Sequence, residues 1–173
     1  LMDGSNTTFA GAVGPFNPGP SWQIKGTGDF NGDGKSDILW QSDNGQAAIW
    51  LMDSFKFIGG NTLNPGPGWD VADSGDFNGD GLPEIYVTGG VNKAKFYRNR
   101  SARGGALKLQ EERSGLELTN ATGAYPIDID GDGNTDLVVL RVGEVQVFRD
   151  LRAGLSRADD EHRAVVGSPA RWM

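Results

Sequence analysis

The sequence predicts an all-β fold, on three observations. Glycine is abundant, with 27 in 173 residues, while only 37% of the chain is hydrophobic, a composition suited to short strands joined by tight turns. Two stretches of the chain recur at one fixed offset. Short apolar runs flank glycine-containing turn sequences along most of the length, as antiparallel hairpins require.

The repeat organises the rest. Asn17-Pro18-Gly19-Pro20-Ser21-Trp22 recurs as Asn64-Pro65-Gly66-Pro67-Gly68-Trp69, and Gly28-Asp29-Phe30-Asn31-Gly32-Asp33-Gly34 as Gly75-Asp76-Phe77-Asn78-Gly79-Asp80-Gly81, both 47 residues on. A third, diverged acidic stretch opens at Asp128, 52 residues beyond Asp76. The Asn-Pro-Gly-Pro signature is missing before it, and an Arg-rich segment, 98–113, fills the interval. Divergence within one gene accounts for this more simply than a recombined join near Gly81. Leu1-Met2-Asp3 matches Leu51-Met52-Asp53, so the chain is expected to open partway through a repeat.

Each unit reads as strand, acidic loop, strand, turn, strand, and a fourth strand follows in the first two. In the first unit these are 22–25, the loop from Asp29, 37–40, the turn Asp43-Asn44-Gly45, 47–52 and 55–59. Asn-Gly is a preferred hairpin turn when both central residues take positive φ. The second unit gives 69–72, the loop from Asp76, 84–88, the turn Gly89-Gly90, 93–97 and 107–111. The third gives 124–127, the loop from Asp128, 136–141, the turn Val142-Gly143 and 144–148. Unit boundaries are expected at 21–68, 69–121 and 122–157. Residues 1–20 would end a preceding repeat, with an orphan strand near 7–13, and the tail 158–173 aligns with no unit.

All three loops obey D-x-[DN]-x-D-G-x-x-[DE]. Loop one offers Asp29, Asn31, Asp33, Asp37 and the backbone carbonyl of Lys35. Loop two offers Asp76, Asn78, Asp80, Glu84 and the carbonyl of Leu82. Loop three offers Asp128, Asp130, Asp132, Asp136 and the carbonyl of Asn134. Oxygens at alternate positions wrap a hard cation, the glycine makes the sharp turn, and the last carboxylate closes the shell. The twelfth position, where an EF-hand needs a bidentate Glu, holds Trp40, Val87 or Val139, and the flanks are strands. Many protein oxygens on a flexible loop favour Ca2+ over Mg2+, and the lack of nitrogen and sulfur donors disfavours transition metals. Asp-Asn-Gly clusters also form turns without any metal, but three copies, each crowding three or four carboxylates, point to a cation. Up to three calcium ions are expected, and their charge of roughly +6 would nearly offset the formal −7 of the chain. In loop two, Glu84 is a methylene longer than Asp and Pro83 stiffens the approach.

Charge and composition exclude several classes. Residues 1–81 carry three basic residues against ten acidic ones, and the remainder thirteen of each, which argues against nucleic acid as a partner. No apolar run reaches the roughly 18 residues of a membrane span. The first four residues lack the features of a signal peptide. With no cysteine, disulfides and thiolate metal sites are excluded. His162, the single histidine, sits in a charged run, no Ser lies on a glycine elbow, and the clustered carboxylates belong to the loops, so no enzyme is expected. Trp22, Trp40, Trp50 and Trp69 are read as packing between units ahead of contact with sugar rings. Asn6, Asn99 and Asn120 each open an N-x-[ST] sequon.

The stretch Gly28-Asp29-Phe30-Asn31-Gly32-Asp33-Gly34 followed by Ser36-Asp37-Ile38-Leu39-Trp40 resembles the FG-GAP or VCBS repeats of integrin α-subunits and bacterial surface proteins. Residues 97–116 resemble the cartilage acidic protein branch. The Phe-Gly and Gly-Ala-Pro signatures of the family are not intact. The resemblance implies a β-propeller of four-stranded blades, structural calcium between the first and second strands, and partners on the opposite face. It implies an extracellular or cell-surface module for protein or glycan recognition or adhesion. An architectural segment without its own ligand and an accessory domain of a secreted hydrolase are the alternatives. Closed propellers use about four to eight blades, so about three blades form a partial propeller. A second copy or a partner chain is expected to complete the ring, two sets of about three and a half blades giving about seven.

Overall fold

The computed structural model describes residues 2–3, 6–7, 18–112, 116, 118–149 and 163–166, and every regular element among them is a β-strand. The first unit is a four-stranded antiparallel sheet of β3 (Trp22–Gly28), β4 (Asp37–Ser42), β5 (Ala47–Asp53) and β6 (Lys56–Leu63), paired in that order. The second holds β7 (Asp70–Gly75), β8 (Glu84–Asn99) and β9 (Leu109–Glu112). The third holds β10 (Thr119–Ile127), β11 (Asp136–Arg141), β12 (Glu144–Phe148) and β13 (Arg163–Val166). Two short strands, β1 (Met2–Asp3) and β2 (Asn6–Thr7), pair with each other in the N-terminal region.

β8 contains both arms of a hairpin. A straight strand of 16 residues would be about 50 Å long, yet the Asn99 backbone N–H donates to Glu84 Oε1 at 3.4 Å and Asn99 Nδ2 donates to the Pro83 carbonyl at 3.1 Å. The chain therefore reverses inside β8, and with β7 and β9 the second unit is four-stranded too. β10 pairs with β8 at Lys93 and Gly90 as well as with β11, joining the second and third units into one seven-stranded sheet.

β3 lies beside β7 and β7 beside β10, so the first strands of successive units are neighbours. Glycine permits close approach between units: a Cβ on Gly28 would sit 3.0 Å from Cγ of Pro83, just before β8, and one on Gly75 would sit 3.1 Å from Cβ of Pro126 in β10. Because side chains alternate along a strand, the second unit feeds two cores. Ile85, Val87 and Tyr97 join Phe30, Leu39, Ile49 and Val71 between units one and two. Tyr86 and Phe96 join Phe77, Leu137, Val139 and Phe148 between units two and three. The result is an all-β set of stacked antiparallel sheets, consistent with part of a β-propeller.

The observed elements depart from the sequence reading in places. Asn44 does not share the positive φ of Gly45. Instead Gly45 N–H donates to the Ser42 carbonyl at 2.9 Å and Ser42 N–H to the Gln46 carbonyl at 2.7 Å, the three-residue loop in which a type I turn is followed by one left-handed residue. β10 begins at Thr119 and crosses the boundary placed at 121/122. β13 pairs with β12 along Val145–Phe148 inside the segment read as an unaligned tail. Of the orphan strand near 7–13, Thr7 belongs to β2 and the rest lies outside the described residues. The Met2↔Thr7 and Asp3↔Asn6 pairs repeat the register of Met52↔Phe57 and Asp53↔Lys56, in keeping with the Leu-Met-Asp match.

Trp69 packs against the first core, with Lys95 Nζ 5.0 Å above its ring, and a Cβ on Gly89 would lie 2.8 Å from the indole. Trp40 and Trp50 meet at 5.1 Å, and Trp50 meets Phe57 edge-on at 5.4 Å. These rings pack on one another and on the sheets.

Candidate metal centres

Each acidic loop joins the first strand of its unit to the second, and one hydrogen-bond frame recurs in all three. The first-position carboxylate accepts the backbone N–H groups of the fifth and sixth residues: Asp29 from Asp33 at 3.0 Å and Gly34 at 2.7 Å, Asp76 from Asp80 at 3.1 Å and Gly81 at 2.9 Å, Asp128 from Asp132 at 3.1 Å and Gly133 at 2.9 Å, with Gly131 a third donor to Asp128 at 2.7 Å. The fifth-position carboxylate then accepts the N–H of the seventh residue, Lys35, Leu82 or Asn134, at 2.7–2.9 Å. The glycines at positions four and six all have positive φ, from 68° to 86°, a region where a Cβ would be strained. The D-x-[DN]-x-D-G spelling thus dictates a backbone curl with its side-chain oxygens turned inward.

The ninth position anchors each curl. Asp37 is buried, with Oδ2 accepting the Phe30 N–H at 2.8 Å and Oδ1 the Met52 N–H at 2.9 Å. Glu84 occupies the same place: Phe77 N–H donates to Oε2 at 3.1 Å, and Asn78 Nδ2 and Asn99 N–H donate to Oε1 at 2.9 and 3.4 Å. Asp136, also buried, accepts Ile129 N–H at 3.0 Å. The longer Glu84 side chain and Pro83 do not disturb the frame. Burial raises the pKa of Glu84 to about 7, aided by the Asp80 charge and opposed by the Asn99 and Phe77 amides and Arg98. Burial also raises that of Asp37, against the Met52 and Phe30 amides.

The second loop residue plugs the core. Phe30 and Phe77 are both 0% exposed, one in each seam between units.

Among the described residues, the carboxylate oxygens of Asp128, Asp130 and Asp136 lie within 4.8 Å of one another. Loops one and two carry Asn31 and Asn78 where loop three has Asp130, and among the described residues their carboxylates form no such group of three. Asp132 is turned instead to the Asn134 amide at 2.9 Å, and Asn134 Oδ1 is buried without a donor. The donor set is all oxygen, mixed carboxylate and amide, on loops whose backbone is already curled. That chemistry fits a hard cation of calcium type.

Three features of the sites were not read from the sequence. Met52 and Asn99 reach the ninth-position carboxylates from across a hairpin. Arg103 Nη2 donates to the Asp80 carbonyl at 2.7 Å, and Gly104 N–H donates to the Asn31 carbonyl at 2.6 Å. Their sole signal was the Arg-rich stretch interrupting the repeat. Asn99 also ceases to be a glycan acceptor in the fold, being buried with its amide donating to the Phe30 carbonyl at 2.8 Å.

A family described as the FG-GAP-like repeat matches the chain twice, over residues 29–87 and 76–139. Each match opens at the first aspartate of an acidic loop and ends in the strand after the next one. No curated protein matches the chain significantly.

Proposed function

Since the chain belongs to the FG-GAP-like repeat family, we propose that it is a calcium-stabilised partial β-propeller serving as an extracellular or cell-surface module for protein or glycan recognition or adhesion. The observation that carries this reading is the hydrogen-bond frame repeated at three loops of one spelling. Asp29, Asn31, Asp33, Asp37 and the Lys35 carbonyl would hold one ion, Asp76, Asn78, Asp80, Glu84 and the Leu82 carbonyl a second, and Asp128, Asp130, Asp132, Asp136 and the Asn134 carbonyl a third. Bound calcium would supply positive charge among crowded carboxylates and clamp the turn that opens each sheet. The role is structural rather than catalytic.

Ring completion by a second copy or a partner chain draws support from two residues. Ile129 is the counterpart of the buried Phe30 and Phe77 but is 50% exposed, and Ile24, counterpart of Val71, is 58% exposed where Val71 is 2%. These positions are sealed wherever a neighbouring unit covers them. Recognition we assign to the end of the strands remote from the loops, where Gln23, Lys25, Gln41, Asp43, Trp69 and Asp70 line a polar groove. Lys25 and Asp70 pair there at 2.8 Å.

Light scattering after size exclusion, with melting in calcium and in chelator, tests the reading. The expected result is an assembly larger than one chain that loses thermal stability on chelation. A monomer with the same melting temperature in both solutions would overturn it.

A further inference from the structure

We infer that Asn99, at the end of β8, and Arg103 and Gly104, in the turn between β8 and β9, are positioning residues that couple metal binding at the first and second loops. The inference rests on the calcium reading above and adds that these two sites fill as a pair while the third fills alone.

The turn is seated on both loops at once. On loop one, Asn99 Nδ2 donates to the Phe30 carbonyl at 2.8 Å and Gly104 N–H to the Asn31 carbonyl at 2.6 Å. On loop two, Arg103 Nη2 donates to the Asp80 carbonyl at 2.7 Å and Asn99 Nδ2 to the Pro83 carbonyl at 3.1 Å. Each acceptor is backbone inside, or at the edge of, the curl that would wrap an ion.

Glycine makes room for this seat. A Cβ on Gly32 would lie 2.9 Å from Arg103 Cγ and 3.0 Å from Leu82 Cδ2, and one on Gly81 would lie 2.5 Å from Arg103 Nη2. The Arg103 stem therefore runs across the fourth residue of one loop to the sixth residue of the other.

The turn is itself braced. Gly105 N–H donates to the Ala102 carbonyl at 2.8 Å, Ser101 N–H to Asn99 Oδ1 at 3.0 Å, Arg100 N–H to the Lys108 carbonyl at 2.7 Å and Lys108 N–H to Ser101 Oγ at 2.9 Å. A shared, stiff support means that ordering one loop around an ion leaves less ordering for the second ion to do, which is positive coupling. Among the described residues, the ion pair at the third loop comes from its own unit, where Arg149 Nη1 lies 3.6 Å from Asp130 Oδ2.

Calcium titration of the full chain against a chromophoric chelator tests the coupling. In D132A, which keeps sites one and two, the product of the two binding constants should exceed by about five-fold or more the product of the single constants in D132A/D33A and D132A/D80A. Arg103 is exposed, so R103M should fold, and adding it should bring that ratio to about one. The third site, measured in D33A/D80A with and without R103M, should keep its affinity, an outcome that general loosening of the protein would not give. Independent sites in D132A, or an equal ratio with and without R103M, would overturn the coupling alone. Absence of bound calcium in the unaltered chain would overturn the metal reading and this inference with it.

Discussion

The backbone N–H of Met52 donates to Asp37 Oδ1 at 2.9 Å across the first hairpin, and Asn99 N–H approaches Glu84 Oε1 in the second in the same way. The carboxylate that would close a metal shell is thus also a fastener between strands. Asp37→Ala strands two buried donors, the Phe30 and Met52 amides, at about 1–3 kcal/mol each. We expect that loss even in chelator, measured by urea unfolding. Asp33→Ala, at a more exposed position, should lower stability in calcium and leave it nearly unchanged in chelator.

Glu84 sets a pH dependence. Its pKa in the folded chain is pushed up to about 7 by burial, from 4.5, so between those values the metal-free folded state holds a proton that the unfolded state has released. Its stabilising contribution is complete below the lower value and is lost as pH rises through the upper one. The melting temperature in chelator should therefore fall as pH rises from about 4.5 to about 7, and Glu84→Gln should flatten that slope. Asp37 shifts in the same direction. Excess calcium, which takes the carboxylate form, should remove the decline.

Phe30 and Phe77 separate loop chemistry from core packing. Each fills a seam between units with no exposed surface, so Phe77→Ala should cost about 3–5 kcal/mol. Ile129→Ala, at the half-exposed counterpart, should cost under about 1 kcal/mol in the isolated chain. Equal losses in chemical denaturation would contradict the seam assignment.

Much of this architecture was legible because the chemistry of the acidic loops is local. A 47-residue offset placed the first two loops and the shared D-x-[DN]-x-D-G spelling the third, and the apolar runs beside them placed the strands within a few residues. What escaped depends on contacts distant in sequence. Asn99 reads as a sequon until the fold brings its amide to Phe30, and Arg103 reads as one charge in a basic stretch until it meets Asp80. Arg163–Val166 offers only four residues of strand signal in a charged run, and pairing with β12 defines it. Asn44-Gly45 marked the turn correctly, but one left-handed residue sufficed once the loop had three positions.

Gly89 tests the packing of Trp69 on β8. A Cβ there meets the Trp69 indole at 2.8 Å, so Gly89→Ala should destabilise by about 1–3 kcal/mol and alter the tryptophan fluorescence. An unchanged spectrum with unchanged stability would separate Trp69 from that backbone.

The most direct measurement is the number of calcium ions carried per chain, by elemental analysis of protein dialysed against millimolar calcium and rinsed of free ion. Three are expected, falling to two in Asp33→Ala, Asp80→Ala or Asp132→Ala. A chain that retains none, or a variant that retains all three, would rule out calcium at these loops.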